Sequence, residues 1–424
     1  MMKKIFFSIL ICGFAVSLQG QLTLEYCHER AKANYPLIKQ YDLIEQSKKY
    51  NIAQINKSYI PQLSLNGKVT WQSDVTEFPE EFSDMLEQMN VSIDFPGQDQ
   101  YNFALELRQT IWDGGATGTQ KKIINSQNEI EKYNLEVNMY ALTDQINQLY
   151  FSILLIDEQM RQNTLLKQEL ERNYNLVSTY IKNGVAQQSD LDEIKVEMLS
   201  AEQRDTEMKT SKKTFKKMLS AFIAEEITDN IVLEKPKAEL SISETINRPE
   251  LKLYDSQIQL YETRSKQLWS NGMPRIALFA QGAYGNPGLN MFESGFTPYF
   301  IGGVQLSWNF GGLYTNNDEK KTFNLQKQQT EVQREVFLFN LKQKLVQQDS
   351  EIEKLQNLLE NDDEIIRLRE DIQKTAEVKV ENGTMNVNDL LQYINTTSIA
   401  RQNKAYHEIQ LLMAIWQRQS IVNN

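Results

Sequence analysis

Residues able to do chemistry are few, and their spacing is wrong for it. The chain has two histidines, His28 and His407. The residues four positions on are Lys32 and Leu411, so neither histidine can open a His-Glu-x-x-His metal site on one helix face. No Gly-x-x-x-x-Gly-Lys run is present to cradle a phosphate, and no Gly-x-Ser-x-Gly elbow to present a nucleophile. Gly114-Gly115 and Gly311-Gly312 lack the third glycine of a nucleotide site and read as bends between a strand and a helix. The many carboxylates fall on helical stretches, where solvated faces and interhelical pairs account for them. No catalytic group, cofactor or metal is therefore expected.

The polar residues that do stand out belong to repeated places. Asp190 and Asp389 each follow an Asn-Gly pair, Asn183-Gly184 and Asn382-Gly383. Lys68, Glu106 and Arg108 sit in stretches where polar and apolar residues alternate. Charge in alternating stretches suits the wall of a wet passage, so the next question is which elements hold it there.

The chain is duplicated. Tyr35-Pro36 and Arg248-Pro249 each open a helical stretch that closes at Ile60-Pro61 and Met273-Pro274; both prolines are displaced by the same 213 positions. Gly114 answers Gly311 at an offset of 197, and Gly184 answers Gly383 at 199. The first copy thus carries about sixteen extra residues between its proline and its glycine pair, in an acidic loop over 74–99, an insertion that repeat folds tolerate. Three segments are expected. Residues 1–20 are a leader, 21–230 a first repeat (helix, β-hairpin 63–112, long helix 116–181, helix 189–224), and 231–424 a second (helix, β-hairpin 276–310, long helix 313–380, helix 388–420).

In the first hairpin Leu63, Leu65, Val69 and Trp71 alternate with Ser64, Asn66, Lys68 and Thr70, and Phe103, Leu105, Leu107 and Ile111 alternate with Asn102, Glu106, Arg108 and Thr110. The second gives Ile276, Leu278, Ala280 and Tyr284, then Phe300, Val304, Leu306, Trp308 and Phe310. Short strands with aromatic ends and one polar face are the signature of a transmembrane β-barrel, with the edge of a soluble β-sandwich as the alternative that periodicity alone leaves open. The long helices show heptads: Leu142, Ile146, Leu149, Ile153, Ile156 and Met160 in one, and Leu338, Leu341, Leu345, Ile352, Leu355, Leu359 and Ile366 in the other, with Gln348 and Asp362 in polar gaps. Each would extend about 100 Å at 1.5 Å per residue.

Lipid leaves no strand edge unpaired, so four strands cannot span a bilayer alone. Two protomers would give eight strands and three would give twelve. Eight-stranded barrels are filled by side chains, which makes three the smaller assembly with room for a pore. Lys68, Glu106 and Arg108 would then face the lumen. The leader has Lys3 and Lys4, then apolar Ile5 to Leu18, and a break near Gly20, the layout of a removed signal peptide and too short for a span. Bulky Leu10-Ile11 before Cys12 disfavour lipidation there, and Cys27 is left without a disulfide partner. The formal charge of −11 excludes a nucleic-acid backbone as partner, and a mean hydropathy of −0.51 leaves strands as the route into a membrane.

The order of these elements in both copies, and the turns Asn183-Gly184-Val185-Ala186-Gln187-Gln188-Ser189-Asp190-Leu191 and Asn382-Gly383-Thr384-Met385-Asn386-Val387-Asn388-Asp389-Leu390, resemble the TolC-like outer-membrane efflux family over nearly the whole mature chain. The resemblance implies a mainly α fold. Four transmembrane strands per protomer would close a twelve-stranded barrel in a homotrimer, continued by an α-helical barrel across the periplasm. It implies an outer-membrane channel for tripartite efflux or type I secretion, with a periplasmic adaptor and an inner-membrane pump of RND or ABC type as partners, and with outer-membrane lipid around the barrel. The turns carrying Gly184, Asp190, Gly383 and Asp389 would form the periplasmic aperture and adaptor contact, with Ser189 or Asp190, and Asn388 or Asp389, capping the helix that follows. Of the family's two acidic ring positions Asp389 matches the first, while the second falls on Gln392; a basic residue of the closed-state lock falls near Met385. The competing expectation is a periplasmic or surface coiled-coil scaffold without a channel. Substrate identity and the purpose of the 74–99 loop are not written in the sequence.

Overall fold

Alternation of apolar and polar residues produces strands wherever the sequence shows it, and proline and glycine set their limits. A computed structural model describes residues 22–91, 95–184, 186–237 and 245–422; the leader, Cys12 and Val185 lie outside them. The strands are β1 (Gln62–Trp71), β2 (Asp99–Trp112), β3 (Arg275–Asn286) and β4 (Thr297–Ser307). The helices are α1 (Leu24–Asn34), α2 (Lys39–Asn56), α3 (Glu80–Gln88), α4 (Ala116–Lys182), α5 (Gln188–Ile223), α6 (Pro249–Asn271), α7 (Gly312–Glu381) and α8 (Val387–Val422). The fold is mainly helical with one small antiparallel sheet.

The chain divides into two units, each built from separate stretches of sequence. One comprises Gln40–Asn134 and Glu250–Val336, the other Met1–Lys39, Leu135–Pro249 and Phe337–Asn424. The first holds the sheet, in the order β1-β2-β3-β4 with every neighbour antiparallel. Its pairing puts Leu65 opposite Leu105, Leu105 opposite Gly282, and Gly282 opposite Phe300, so the alternating apolar sets share a single face. Trp308 and Phe310, expected within the last strand, lie beyond its end at Ser307; the Asn309-Gly311 turn, in which Asn309 Oδ1 accepts from Gly311 N at 2.9 Å, diverts the backbone first. The acidic insertion is not a plain loop, since α3 forms within it. Phe82 of α3 packs edge-on to Phe78, which also stacks on Phe292 of the other hairpin's loop.

The bend from β2 into α4 needs glycine. Gly114 and Gly115 have φ of +70° and +87°, and a Cβ on Gly114 would lie 2.4 Å from that of Met273. Asp113 then accepts from the backbone N–H of Gly115 and Thr117 at 2.9 and 2.7 Å and caps the helix. Gly311 and Gly312 do not take positive φ, so the equivalent bend of the second repeat is an Asx turn and not a glycine hinge.

In the second unit the heptads bury as expected: Leu142, Ile146, Leu149, Ile153 and Ile156 of α4 and Leu341, Ile352 and Leu355 of α7 are core residues. Tyr150, fully buried, places its hydroxyl 2.6 Å from Leu22 O and 2.7 Å from Glu234 O, so its single proton is shared between the two carbonyls. It clasps the start of the described chain to the segment after α5, where Leu22 and Leu233 form a parallel bridge. Buried Lys216 donates to the carbonyls of Thr228 and Ile231 at 3.0 and 2.9 Å, meeting a charge with backbone dipoles in place of a carboxylate.

Candidate duct wall and helix-turn-helix tips

The sheet carries one candidate surface. Lys68, Glu106 and Arg108 all lie on the face opposite the apolar one, with Lys68 paired to Asn102, Glu106 to Ser64 and Gln281, and Arg108 to Gln62 and Phe279. The same face holds Asn66, Thr70, Gln305 and Tyr299, and Asn102 Nδ2 donates to Tyr299 Oη at 2.5 Å. Phe279 and Ile301 also fall on it, apolar residues the alternation did not anticipate. The three charges stand in different rows, and no ion pair among the described residues joins them. Such a face offers water a polar wall without a binding pocket.

The other face cannot remain in water. Leu65 is 75% exposed, Phe300 69% and Val304 68%, a density of apolar surface that soluble monomers avoid. Among the described residues, no strand lies beside the outer edges of β1 and β4.

The tips gather the other candidates. Gly184 and Gly383 end α4 and α7 with φ of +75° and +65°, and each N–H closes its helix onto a carbonyl three residues back, Ile181 and Val380, at 3.0 Å. The caps differ from expectation by a few residues. Gln187 precedes α5, and Asp190 is its third residue, its Oδ2 accepting from Gln187 N at 2.9 Å. In the second tip Asn386 Oδ1 accepts from Asp389 N at 2.7 Å, so Asn386 is the cap and Asp389 is an exposed acid in the first turn. A helix starting one or two residues early moves the cap with it.

Both tips share one core. Leu166, Leu170 and Val177 of α4, Ile194 of α5, Val380 of α7 and Leu390, Leu391 and Ile394 of α8 pack together, with Met385 against them. Met385, half-buried, therefore packs against this core, and Gln392 is exposed.

Spacing alone could not reveal the buried polar couplings. Glu169 of α4, buried one residue before Leu170, accepts from Gln373 of α7, and Arg401 of α8 lies 3.8 Å away. Burial holds its carboxyl above the usual range, against the hydrogen bond from Gln373 and the charge of Arg401. His28 sits 2.7 Å from Asn147 Oδ1, and burial lowers its pKa. His407 meets Asp362 at 2.7 Å, which explains the polar gap at Asp362 in the heptad. Burial pushes the Cys27 thiol up to about 12, leaving it inert. No group of metal-ligating side chains and no helix long and apolar enough to cross a membrane occurs among the described residues.

The architecture is that of TolC-like outer-membrane channels. The solved structure of the outer-membrane channel OprN matches with a TM-score of 0.70 at 12% identity, over 94% of this chain and 89% of that one. CusC, described for folding and transmembrane channel formation, gives 0.69 at 12%, over 96% and 95%. The outer membrane protein VceC of Vibrio cholerae gives 0.65 at 14%, over 94% and 96%. A search of curated protein sequences gives no match. Residues 28–224 match the sequence profile of the family described as outer membrane efflux protein. The chain is therefore similar to these channels in fold over nearly its whole length, and residues 28–224 are similar in sequence to the outer membrane efflux protein family.

Proposed function

We propose that this chain is one protomer of a homotrimeric efflux channel in the outer membrane, a passive duct with a helical barrel in the periplasm. The observation that carries the reading is the sheet itself: one exposed apolar face, one polar face and two unpaired edges. Three copies would pair every edge in a twelve-stranded ring with the apolar face in lipid. Lys68, Glu106 and Arg108 then line the lumen. Leu325, Val332, Phe339 and Val346, exposed on α7 at seven-residue steps, offer a seam for a neighbouring helix.

On this reading residues 1–20 are removed on export, and 21–230 and 231–424 are the two repeats. The tips at Gly184, Asp190, Gly383 and Asp389 form the periplasmic aperture and meet an adaptor joined to an RND or ABC pump, for efflux or type I secretion. Transport through such a duct depends on width and wall charge and needs no catalytic group. A channel-free coiled-coil scaffold would explain the heptads but gives the amphipathic sheet no role.

The test is fractionation of the expressed protein with and without heating. The expected result is an outer-membrane oligomer of three chains that dissociates on boiling and conducts in planar bilayers. A detergent-indifferent soluble monomer overturns the proposal. Cation selectivity unchanged in Asp389→Ala would remove Asp389 from the aperture while leaving the channel.

A further inference from the structure

An open groove of about 930 Å³ runs between α6 and α7 within the sheet-bearing unit. Its lining includes Tyr261 and Trp269 together with Lys266, Lys320, Lys321 and Lys327, against the single carboxylate of Glu262. In a chain of net charge −11 this is a local reversal of sign. Lys327 is held by Glu262 at 2.7 Å and Lys321 by Asp318 at 3.0 Å. Exposed Lys266 and Lys320 have no ion-pair partner among the described residues.

The groove starts where the strands end. Trp269 lies in the last turn of α6, just before β3, and Asn316, in the first turns of α7, donates to Leu268 O at 3.4 Å. Trp308, which keeps the parity of apolar-face Val304 and Leu306, donates from Nε1 to Gly272 O at 3.0 Å and packs on Phe310 at 4.7 Å. Exposed Tyr314 completes an aromatic girdle at this rim. Tryptophan and tyrosine favour the headgroup level of a bilayer. At 1.5 Å per helical residue, Lys266 stands about 8 Å from the end of α6 and Lys320 about 12 Å from the start of α7, where a lysine stem can reach back to that level.

We propose that this groove binds the phosphate headgroup of an anionic phospholipid in the leaflet nearest the helices, with Lys266 and Lys320 contacting the phosphate and Trp269 flanking the glycerol region. This rests on the outer-membrane reading above. Charge complementarity selects the occupant: basic pockets beside a hydrocarbon boundary hold anionic headgroups, and the aromatic girdle fixes that boundary.

The test uses the purified full-length oligomer in detergent, titrated with phosphatidylglycerol, with phosphatidylcholine and with inorganic phosphate, and read by native mass spectrometry of retained lipid. The wild type should retain phosphatidylglycerol in preference to phosphatidylcholine. The double variant Lys266→Glu/Lys320→Glu should lose about tenfold or more of that affinity, whereas Lys374→Glu/Lys379→Glu, on α7 within the other unit, should lose none. Equal retention in both double variants, or displacement of the lipid by millimolar phosphate, overturns the site. If the variants remain heat-modifiable membrane oligomers while lipid retention does not change, the groove assignment alone fails. A wild type that never enters membranes defeats the outer-membrane reading and this site with it.

Discussion

The four-stranded sheet and the helix-turn-helix tips solve the burial problem in opposite ways. At the tips two repeats of one chain supply both sides of the core: Leu390 and Ile394 are fully buried within a single protomer. In the sheet the large apolar side chains stay on the surface, and the edges of β1 and β4 stay open. The core of the tips closes within one chain, whereas the sheet has its hydrogen bonds along three ladders, and on the proposed reading lipid and neighbouring copies complete the rest. A tip defect should therefore act on one protomer, and a sheet defect on the assembly.

The largest separation should come from Leu65→Arg against Ser64→Arg, adjacent positions on opposite faces. Arginine on the lipid face costs about 2 to 4 kcal/mol per chain near the bilayer centre, so Leu65→Arg should deplete the heat-modifiable oligomer from the outer membrane while Ser64→Arg assembles. Equal behaviour would mean the faces are wrongly assigned. Next, Ile394→Ala in the tip core should cost about 2 to 4 kcal/mol. Faster amide exchange in α5 and α8 with unchanged membrane insertion is the expected pattern.

A smaller effect follows from Glu169 in the tips. Its carboxyl holds a proton to higher pH when folded than in the unfolded chain. The resulting stability is fully present below the ordinary value of 4.5 and is lost as pH rises through the raised one. Chemical denaturation across that window should show tip stability falling with pH, and Glu169→Gln should flatten the curve. Smallest is Gly383→Ala, which forces a side chain onto φ +65° at about 1 kcal/mol. Gly312→Ala, with no positive φ and nothing within 4 Å of the added carbon, should leave the melting temperature unchanged.

Much of the fold was legible because it rests on local periodicity. Alternation located the four strands and put Lys68, Glu106 and Arg108 on one face; the heptads located part of the core of α4 and α7, while Met160, Leu338, Leu345, Leu359 and Ile366 are only half-buried. Asn-Gly located both tips, because positive φ is a local demand. What the sequence concealed depends on long-range pairing. Glu169 meets Gln373 across a separation of 204 residues, and His407 meets Asp362 across 45; neither partner is marked by its neighbours. The caps were misplaced for a different reason: Gln187 and Asn386 compete with Ser189 and Asn388 as helix starts, and only the tip core decides where the backbone turns. The helix α3 was hidden because its nine residues are too few to be stable on propensity alone and depend on the phenylalanines around Phe78.

Those phenylalanines have a consequence for recognition by a binding protein. Phe78 and Phe292 stack face to face, and Thr76 reaches Met291 across 215 positions of sequence, so the two hairpin loops present one composite surface. An antibody selected on the folded molecule would read both loops at once. Peptides copied from either loop would fail to compete with it, and a boiled sample would lose the epitope.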